Sequence, residues 1–288
     1  MITRVRHLAA VCALGTALTA LAACSAPDPV RAPRAVPRSA VASASASPAA
    51  GPPTLAPGPA GLTPVFEHGP RSGDRAVALT FDADMTADQG PRAARGERFD
   101  NPGLIAALRE LRVPATVFMT GRWAEQYPRQ ARSLDRDPLF EIANHSYSHY
   151  AYTEDCYGLP TVDEERMRAD VERAYAAFRA AGVHDAMPYF RFPGGCHDTR
   201  ALKALVPAGV TAVQWDVVSG DAFATDARAV ARDVLDGVRP GSVVVLHCTL
   251  SAAPTTERVV RQVVPELRRE GYRLVKVSEL IGASGGRR

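Results

Sequence analysis

The sequence predicts an α/β fold in which parallel strands alternate with crossover helices. Three observations carry that prediction. From about residue 75 onward, short apolar runs alternate with amphipathic stretches of helical period. The connections between successive runs are long enough to hold the helix that a parallel pair requires. Several runs also end in polar residues: Asp82 and Asp84, His145 and His149, Arg191, Asp216 and Asp221, and His247. In parallel α/β folds, reactive side chains collect at the carboxyl ends of the strands.

The elements follow in order. "RAVALTF" (75–81) is the first strand and "NPGLIAALREL" (101–111) the first helix. "ATVFMTG" (115–121) is the second strand. "WAEQYPRQARSL" (123–134) has a helical pattern that Pro128 should disturb. "LFEIANHS" (139–146) is the third strand. The segment 161–182 is a long helix, with Thr161 as its cap, Glu164 three residues on and Gly182 as its stop. "PYFRF" (188–192) is the fourth strand and 199–209 a short helix. "VTAVQWDVV" (210–218) is the fifth strand and 226–238 a helix. "SVVVLHC" (242–248) is the sixth strand, 256–271 a helix, and "YRLVKVSEL" (272–280) the seventh strand. Seven such strands either close a barrel or form an open sheet; periodicity alone does not separate the two.

Not all of the 288 residues belong to that pattern. A basic start (Arg4, Arg6, His7) leads into an apolar stretch that ends in Leu21-Ala22-Ala23-Cys24. The stretch is short for a membrane span and has the form of a secretory signal. Its end resembles the bacterial lipobox, so residues 1–23 are expected to be a lipoprotein signal peptide and Cys24 the lipidated residue. Residues 24–62 are rich in Ala, Pro and Ser and cannot bury enough surface to offset their ordering entropy. They are expected to form a disordered tether, leaving a domain over 63–282 and a disordered tail over 283–288. The expected location is extracytoplasmic, on the outer face of the cell membrane, with the membrane as a partner through Cys24. The net charge is only +3 and the basic residues are dispersed, which argues against a nucleic-acid partner. A monomer is expected.

"NHSYSH" spaces His145 and His149 as H-x-x-x-H. If the chain turns helically there, both imidazoles share a face, and a nearby carboxylate completes a site for zinc. At this point the chain resembles the polysaccharide deacetylase family, the NodB-like enzymes of carbohydrate esterase family 4. Over about 75–281, "TFDAD", "HSYSH", "RFPGG", "WDVVSGDAF" and "VLHC" are similar, in order, to that family's T-F-D-D, H-[ST]-x-x-H, R-x-P-x-G, D-x-x-D-W and L-x-H motifs. The resemblance implies a distorted (β/α)7 barrel, a metal-dependent N-deacetylase acting on an acetylated glycan such as peptidoglycan or a chitin-like polymer, and one divalent ion, Zn2+ before Co2+ or Mn2+.

It further implies roles. Asp82 is the general base on the attacking water, and Arg191 holds it ionised. His145 and His149 are metal ligands. His247 is the general acid, with Asp221 as its partner. A backbone N–H near Gly194 stabilises the oxyanion, and Leu246 lines the acetyl pocket; Trp215 and Tyr147 are also expected in the substrate pocket. Tyr150, Tyr152 and Tyr157 lie in the same stretch as Tyr147 and are further candidates to stack on sugar rings. The chain departs from the pattern twice. The family's metal aspartate falls on Ala83, and its tryptophan on Ala222, next to Phe223. Residues two apart in a strand face the same side. Asp84 is therefore expected to replace the missing ligand while Asp82 remains the base. Cys156 and Cys196 each follow a motif on the rim and are expected to pair, leaving Cys248 free and buried. His197 is read as a loop residue. Two rival readings remain: a glycan-binding lipoprotein without catalysis, and an amidase acting on a small non-sugar substrate.

Overall fold

The computed structural model describes residues 51–86 and 88–285. The expected signal peptide, Cys24 and most of the expected tether lie outside the described residues, as do the last three residues of the tail. The strands are β1 (Val65–Phe66), β2 (Ala76–Ala83), β3 (Ala115–Met119), β4 (Phe140–Asn144), β5 (Tyr189–Phe190), β6 (Thr211–Val213), β7 (Val217–Val218), β8 (Val243–His247) and β9 (Arg273–Val275). All their pairings are parallel, in the order β1-β6-β5-β4-β3-β2-β8-β7, with β9 beside the start of β2.

That order curls into a distorted barrel, and the reason lies in the fifth predicted strand. It is broken into β6, which pairs with β5, and β7, which pairs with β8. Only three residues separate these two pieces, so their ends lie at most about 14 Å apart along the chain. A sheet whose opposite sides are joined by so short a link must close on itself. The break is held by side chains from elsewhere. The Asp216 carboxylate accepts from Val243 N–H (2.7 Å), Ser242 Oγ (2.7 Å) and Arg71 Nη2 (2.8 Å). Arg191 donates to the carbonyls of Val213 (3.1 Å) and Gln214 (3.4 Å). These carbonyls would otherwise be left over where the ladder stops.

Alternation along the strands separates two layers. Ala76, Ala78, Phe118, Ala143, Tyr189, Val213 and Val243 pack together inside the barrel. Val77, Leu79, Phe81, Ala83, Val244 and Leu246 pack outward against the helices. The helices are α1 (Gln89–Ala94), α2 (Pro102–Glu110), α3 (Gly121–Gln126), α4 (Pro128–Asp135), α5 (Glu164–Ala181), α6 (Thr199–Ala204), α7 (Ala227–Gly237), α8 (Thr256–Arg269) and α9 (Val277–Gly285). Local chemistry sets several of their ends. Asn101 accepts from Leu104 N–H ahead of α2, Asp198 from Ala201 N–H ahead of α6, and Gly182 ends α5 at φ 85°. Pro128 does break the predicted helix, and it opens α4 after a bend at Tyr127.

Three local readings need correction. Thr161 does not cap α5; it bridges to Ala151, and the N-cap position is Asp163. The seventh strand stops at Val275, because the next residues begin α9 with their N–H groups satisfied from the barrel. Val277 N–H donates to Thr116 Oγ1 (3.0 Å) and Ser278 N–H to Glu141 Oε1 (3.1 Å). The end of the expected tether is also docked on the domain. Tyr189 donates to the Pro53 carbonyl (2.8 Å), and Leu55 packs against the inner core.

Candidate active site and metal centre

β2 carries the first two residues of the site. Strand alternation turns Asp82 inward, Ala83 outward into the helix-side core, and the next residue, Asp84, inward again. Asp82 is in register with His247 on β8, so their side chains are neighbours on the inner face. Arg191, fully buried, donates from Nη1 to Asp82 Oδ1 at 2.7 Å. Its guanidinium also lies 3.8 Å from the Phe118 ring and 5.3 Å from that of Trp215. One cation therefore both fixes the carboxylate and seals the break between β6 and β7.

His145 follows β4 directly. Its Nδ1–H donates to the Arg191 carbonyl at 2.9 Å, which fixes the tautomer and turns the Nε2 lone pair toward the carboxylates. Nε2 lies 3.3 Å from Asp84 Oδ1 and 3.7 Å from Asp82 Oδ2. His149 Nε2 is 3.6 Å from the same Asp84 oxygen. The loop between the histidines is not helical: Ser146 and His149 have φ of 69° and 57°. A tight turn, with His149 N–H on Ser146 Oγ (2.9 Å), brings the rings to a centroid separation of 5.0 Å. The turn is braced from α5. Asp170 Oδ2 accepts from Tyr147 N–H (3.2 Å), Ser148 N–H (3.4 Å), Ser148 Oγ (3.1 Å) and Tyr152 OH (3.3 Å). Nothing in the sequence motif pointed to Asp170; it lies on a helix whose pattern announces only packing.

The ligand atoms of Asp84, His145 and His149 all lie within 4.8 Å of one another. Asp84 Oδ1 is buried and has no hydrogen-bond partner. It faces two imidazole nitrogens, one of them with its proton committed elsewhere. A cation at the centre satisfies all three, so these residues fit a divalent metal. The charge states of His149 and Asp84 agree, while His145 is held toward its protonated form by the carboxylates that a cation would neutralise. Burial pushes His149 down to about 4 against the pull of Asp84, leaving a neutral imidazole of the kind a metal binds. Burial opposes ionisation of Asp84, but His149, His145 and His247 outweigh it and hold the carboxyl well below its usual range. Burial likewise opposes charge on His145, and Asp82 and Asp84 overcome it and raise its pKa.

His247 is locked to Asp221. Its Nδ1–H donates to Asp221 Oδ1 (2.7 Å) and its backbone N–H to Oδ2 (2.8 Å). Asp221, fully buried, also accepts from Thr256 Oγ1 (2.6 Å) and Ser219 Oγ (3.0 Å). Burial works against the imidazolium, but the Asp221 hydrogen bond and charge raise His247 to about 9. Its Nε2 makes no hydrogen bond to the described residues and is left for a substrate.

The structure thus gathers Asp82, Asp84, His145, His149, Arg191, Asp221 and His247 at one end of the barrel. Gly194 lies on the same rim, in a turn at φ 64°, and Trp215 packs over the adjoining Gly195. Two expected pocket residues are elsewhere. Leu246 is turned into the helix-side core with Cys248, because neighbours on β8 alternate; the inward residue two before His247 is Val245, and the leucine of the L-x-H pattern falls there. Tyr147 also points outward, its hydroxyl among Glu125, Arg122 and Arg173. Cys156 and Cys196 are bonded (2.06 Å), while Cys248 is free and buried, and burial pushes its thiol up to about 12. His197 stacks on Phe192 beside Gln214, apart from the metal cluster.

Comparison with known proteins adds to this geometry. The sequence pattern of the polysaccharide deacetylase family matches residues 69–213. A chitooligosaccharide deacetylase of Bradyrhizobium sp. (strain ANU 289) is 28% identical over 224 residues, covering 74% of this chain and 94% of the relative. A peptidoglycan-N-acetylglucosamine deacetylase of Bacillus cereus is 25% identical over 210 residues, covering 72% and 89%. Among solved structures, a peptidoglycan N-acetylglucosamine deacetylase superposes with a TM-score of 0.63 at 23% identity, over 77% of this chain and 94% of that one. At that identity the likeness shows the fold alone.

Proposed function

The chain belongs to the polysaccharide deacetylase family, and from that premise we propose that it hydrolyses N-acetyl groups of a surface glycan, peptidoglycan or chitin-like, to free amine and acetate. The relatives that it matches over most of their length are deacetylases of such glycans. The observation that carries the reading is the register pair Asp82–His247, which sets a base and an acid side by side against the Asp84–His145–His149 cluster.

Asp84, His145 and His149 would hold the divalent ion, zinc by the two-imidazole, one-carboxylate donor set, with Co2+ or Mn2+ as substitutes. Bound there, the ion supplies Lewis-acid polarisation of the acetyl carbonyl and acidifies water. The chain's own groups move the protons. Asp82 Oδ1 is engaged by Arg191, so Oδ2 accepts the proton of the water as its oxygen attacks the acetyl carbon. His247 Nε2–H donates to the amide nitrogen as the C–N bond breaks, and Asp221 keeps that proton in place beforehand. A backbone N–H of the turn at Gly194 would share the developing oxyanion charge. A glycan binder without catalysis has no need of an oriented acid and a braced base together, which weighs against that rival. Lipidation at Cys24 would hold the enzyme at the outer membrane face, where such glycans are found.

Acetate release from a panel of acetylated glycans, with added zinc, tests the reading. The wild-type protein should release acetate from at least one glycan, and Asp82→Asn should lower kcat by about 10²-fold or more. Near-native turnover in that variant, or no release from any glycan by zinc-loaded wild type, contradicts it.

A further inference from the structure

Two aromatic rings stand outside every core. Tyr157 is 76% exposed and Phe223 83%, and they are the exposed large aromatics among the described residues. Although 66 positions apart in sequence, they touch, with centroids 6.2 Å apart and planes tilted by 35°. Scattered surface residues have no reason to meet; a paired apolar patch on a polar rim marks a contact site.

Each ring is held by a part of the candidate site. Tyr157 occupies the first central position of a turn closed by Leu159 N–H on the Cys156 carbonyl (3.0 Å). Both central residues have positive φ, 51° at Tyr157 and 71° at Gly158, a conformation that favours Gly or Asn over a bulky ring. Cys156 is tied by its disulfide to Cys196, and the Tyr157 ring lies against Gly194, 3.2 Å from where a Cβ would stand. Phe223 closes a turn on the Gly220 carbonyl (3.0 Å), two residues after the Asp221 that orients His247. Beside it, Ala222 stands where the family pattern has tryptophan. The pair therefore spans two loops, one tied by the disulfide to the segment after the Gly194 turn and the other carrying the partner of the general acid.

We propose that Tyr157 and Phe223 form a stacking platform for a pyranose ring of the glycan, one unit or more away from the acetamido sugar being hydrolysed. This rests on the function proposed above and deepens it. Sugar rings present apolar C–H faces that stack on aromatic side chains, while their hydroxyls stay in water. The platform is continuous with the cleft through Gly194, Gly195 and Trp215, so a chain leaving the metal centre in that direction runs onto it. Preference for longer oligomers then comes from two exposed rings, neither of which has a role in the hydrolytic step.

The test compares kcat/KM for soluble chitin oligomers of increasing length with that for N-acetylglucosamine. In the Tyr157→Ala, Phe223→Ala double variant, the ratio of long to short should fall by about tenfold. Tyr157→Phe should keep the wild-type ratio, since stacking needs the ring and not the hydroxyl. A double variant whose ratio is unchanged overturns the platform, including one that loses activity equally on all lengths. If wild type releases acetate from no chitin oligomer, the function reading is decided separately, by the glycan panel above. Fluorescence titration of the inactive protein with the same oligomers then decides the platform: weaker binding in the double variant supports it, and equal binding overturns it.

Discussion

Asp82 and His247 are adjacent on the inner face of the barrel, and each is held by a buried partner of opposite charge. Of the two, His247 offers the readable titration. With its pKa raised to about 9, it stays protonated, and able to donate, through neutral pH. The same shift makes its pairing stabilising below its ordinary 6.5 and progressively lost as pH rises through about 9. Asp221→Asn removes the charge and weakens the hydrogen bond, so the imidazolium is less favoured. The alkaline limb of the pH profile of kcat/KM should move down toward 6.5. A limb at the same pH in the variant contradicts the assignment of His247 as the acid. At this scale the sequence was most legible where strand alternation applies. It places Asp82 and Asp84 on one side of β2, with Ala83 on the other. Alternation neglected gave the wrong answer at Leu246, where Val245 is the inward residue. Tyr147 was illegible for another reason: its direction is set by Glu125, Arg122 and Arg173, none of which lies near it in sequence.

Among the elements, the turn from His145 to His149 depends most on its surroundings. Its left-handed residues Ser146 and His149 have no glycine to ease them, and Asp170 on α5 holds the intervening N–H groups. Asp170→Ala leaves those donors unpaired in a buried place and frees the turn. Zinc affinity, measured by competition with a chelator, should fall by about 10-fold or more, as it does when outer groups that orient metal ligands are lost. Asp170→Asn keeps an acceptor and should lose less. Affinity unchanged in the alanine variant contradicts the bracing role. The H-x-x-x-H spacing suggested a helical face here, and periodicity offers no signal for a turn built on positive φ. The platform loop 156–159 is of the same kind. Its cysteine marks it in the sequence, but its partner Phe223 is a long-range matter.

In the whole molecule, the alternating pattern made the parallel α/β class and most strand positions legible. It did not show where the barrel closes. That depends on the break after Val213, which Arg191 and Asp216 stabilise through contacts with residues far away in sequence. The same Arg191 braces Asp82, so closure of the fold and the position of the base rest on one side chain. The folded body also starts earlier than composition indicates. A Pro- and Gly-rich stretch reads as tether, yet Pro53 and Leu55 find partners on Tyr189, Thr211 and the inner core.

The division of labour between Asp82 and Asp84 joins these scales, and zinc content tests it most directly. Wild type, Asp82→Asn and Asp84→Ala, each loaded and dialysed in parallel, are compared for zinc bound per chain. Wild type and Asp82→Asn should each retain about one equivalent, and Asp84→Ala should lose it. Full zinc in Asp84→Ala, or its loss in Asp82→Asn, would mean that the ion is held by the other carboxylate.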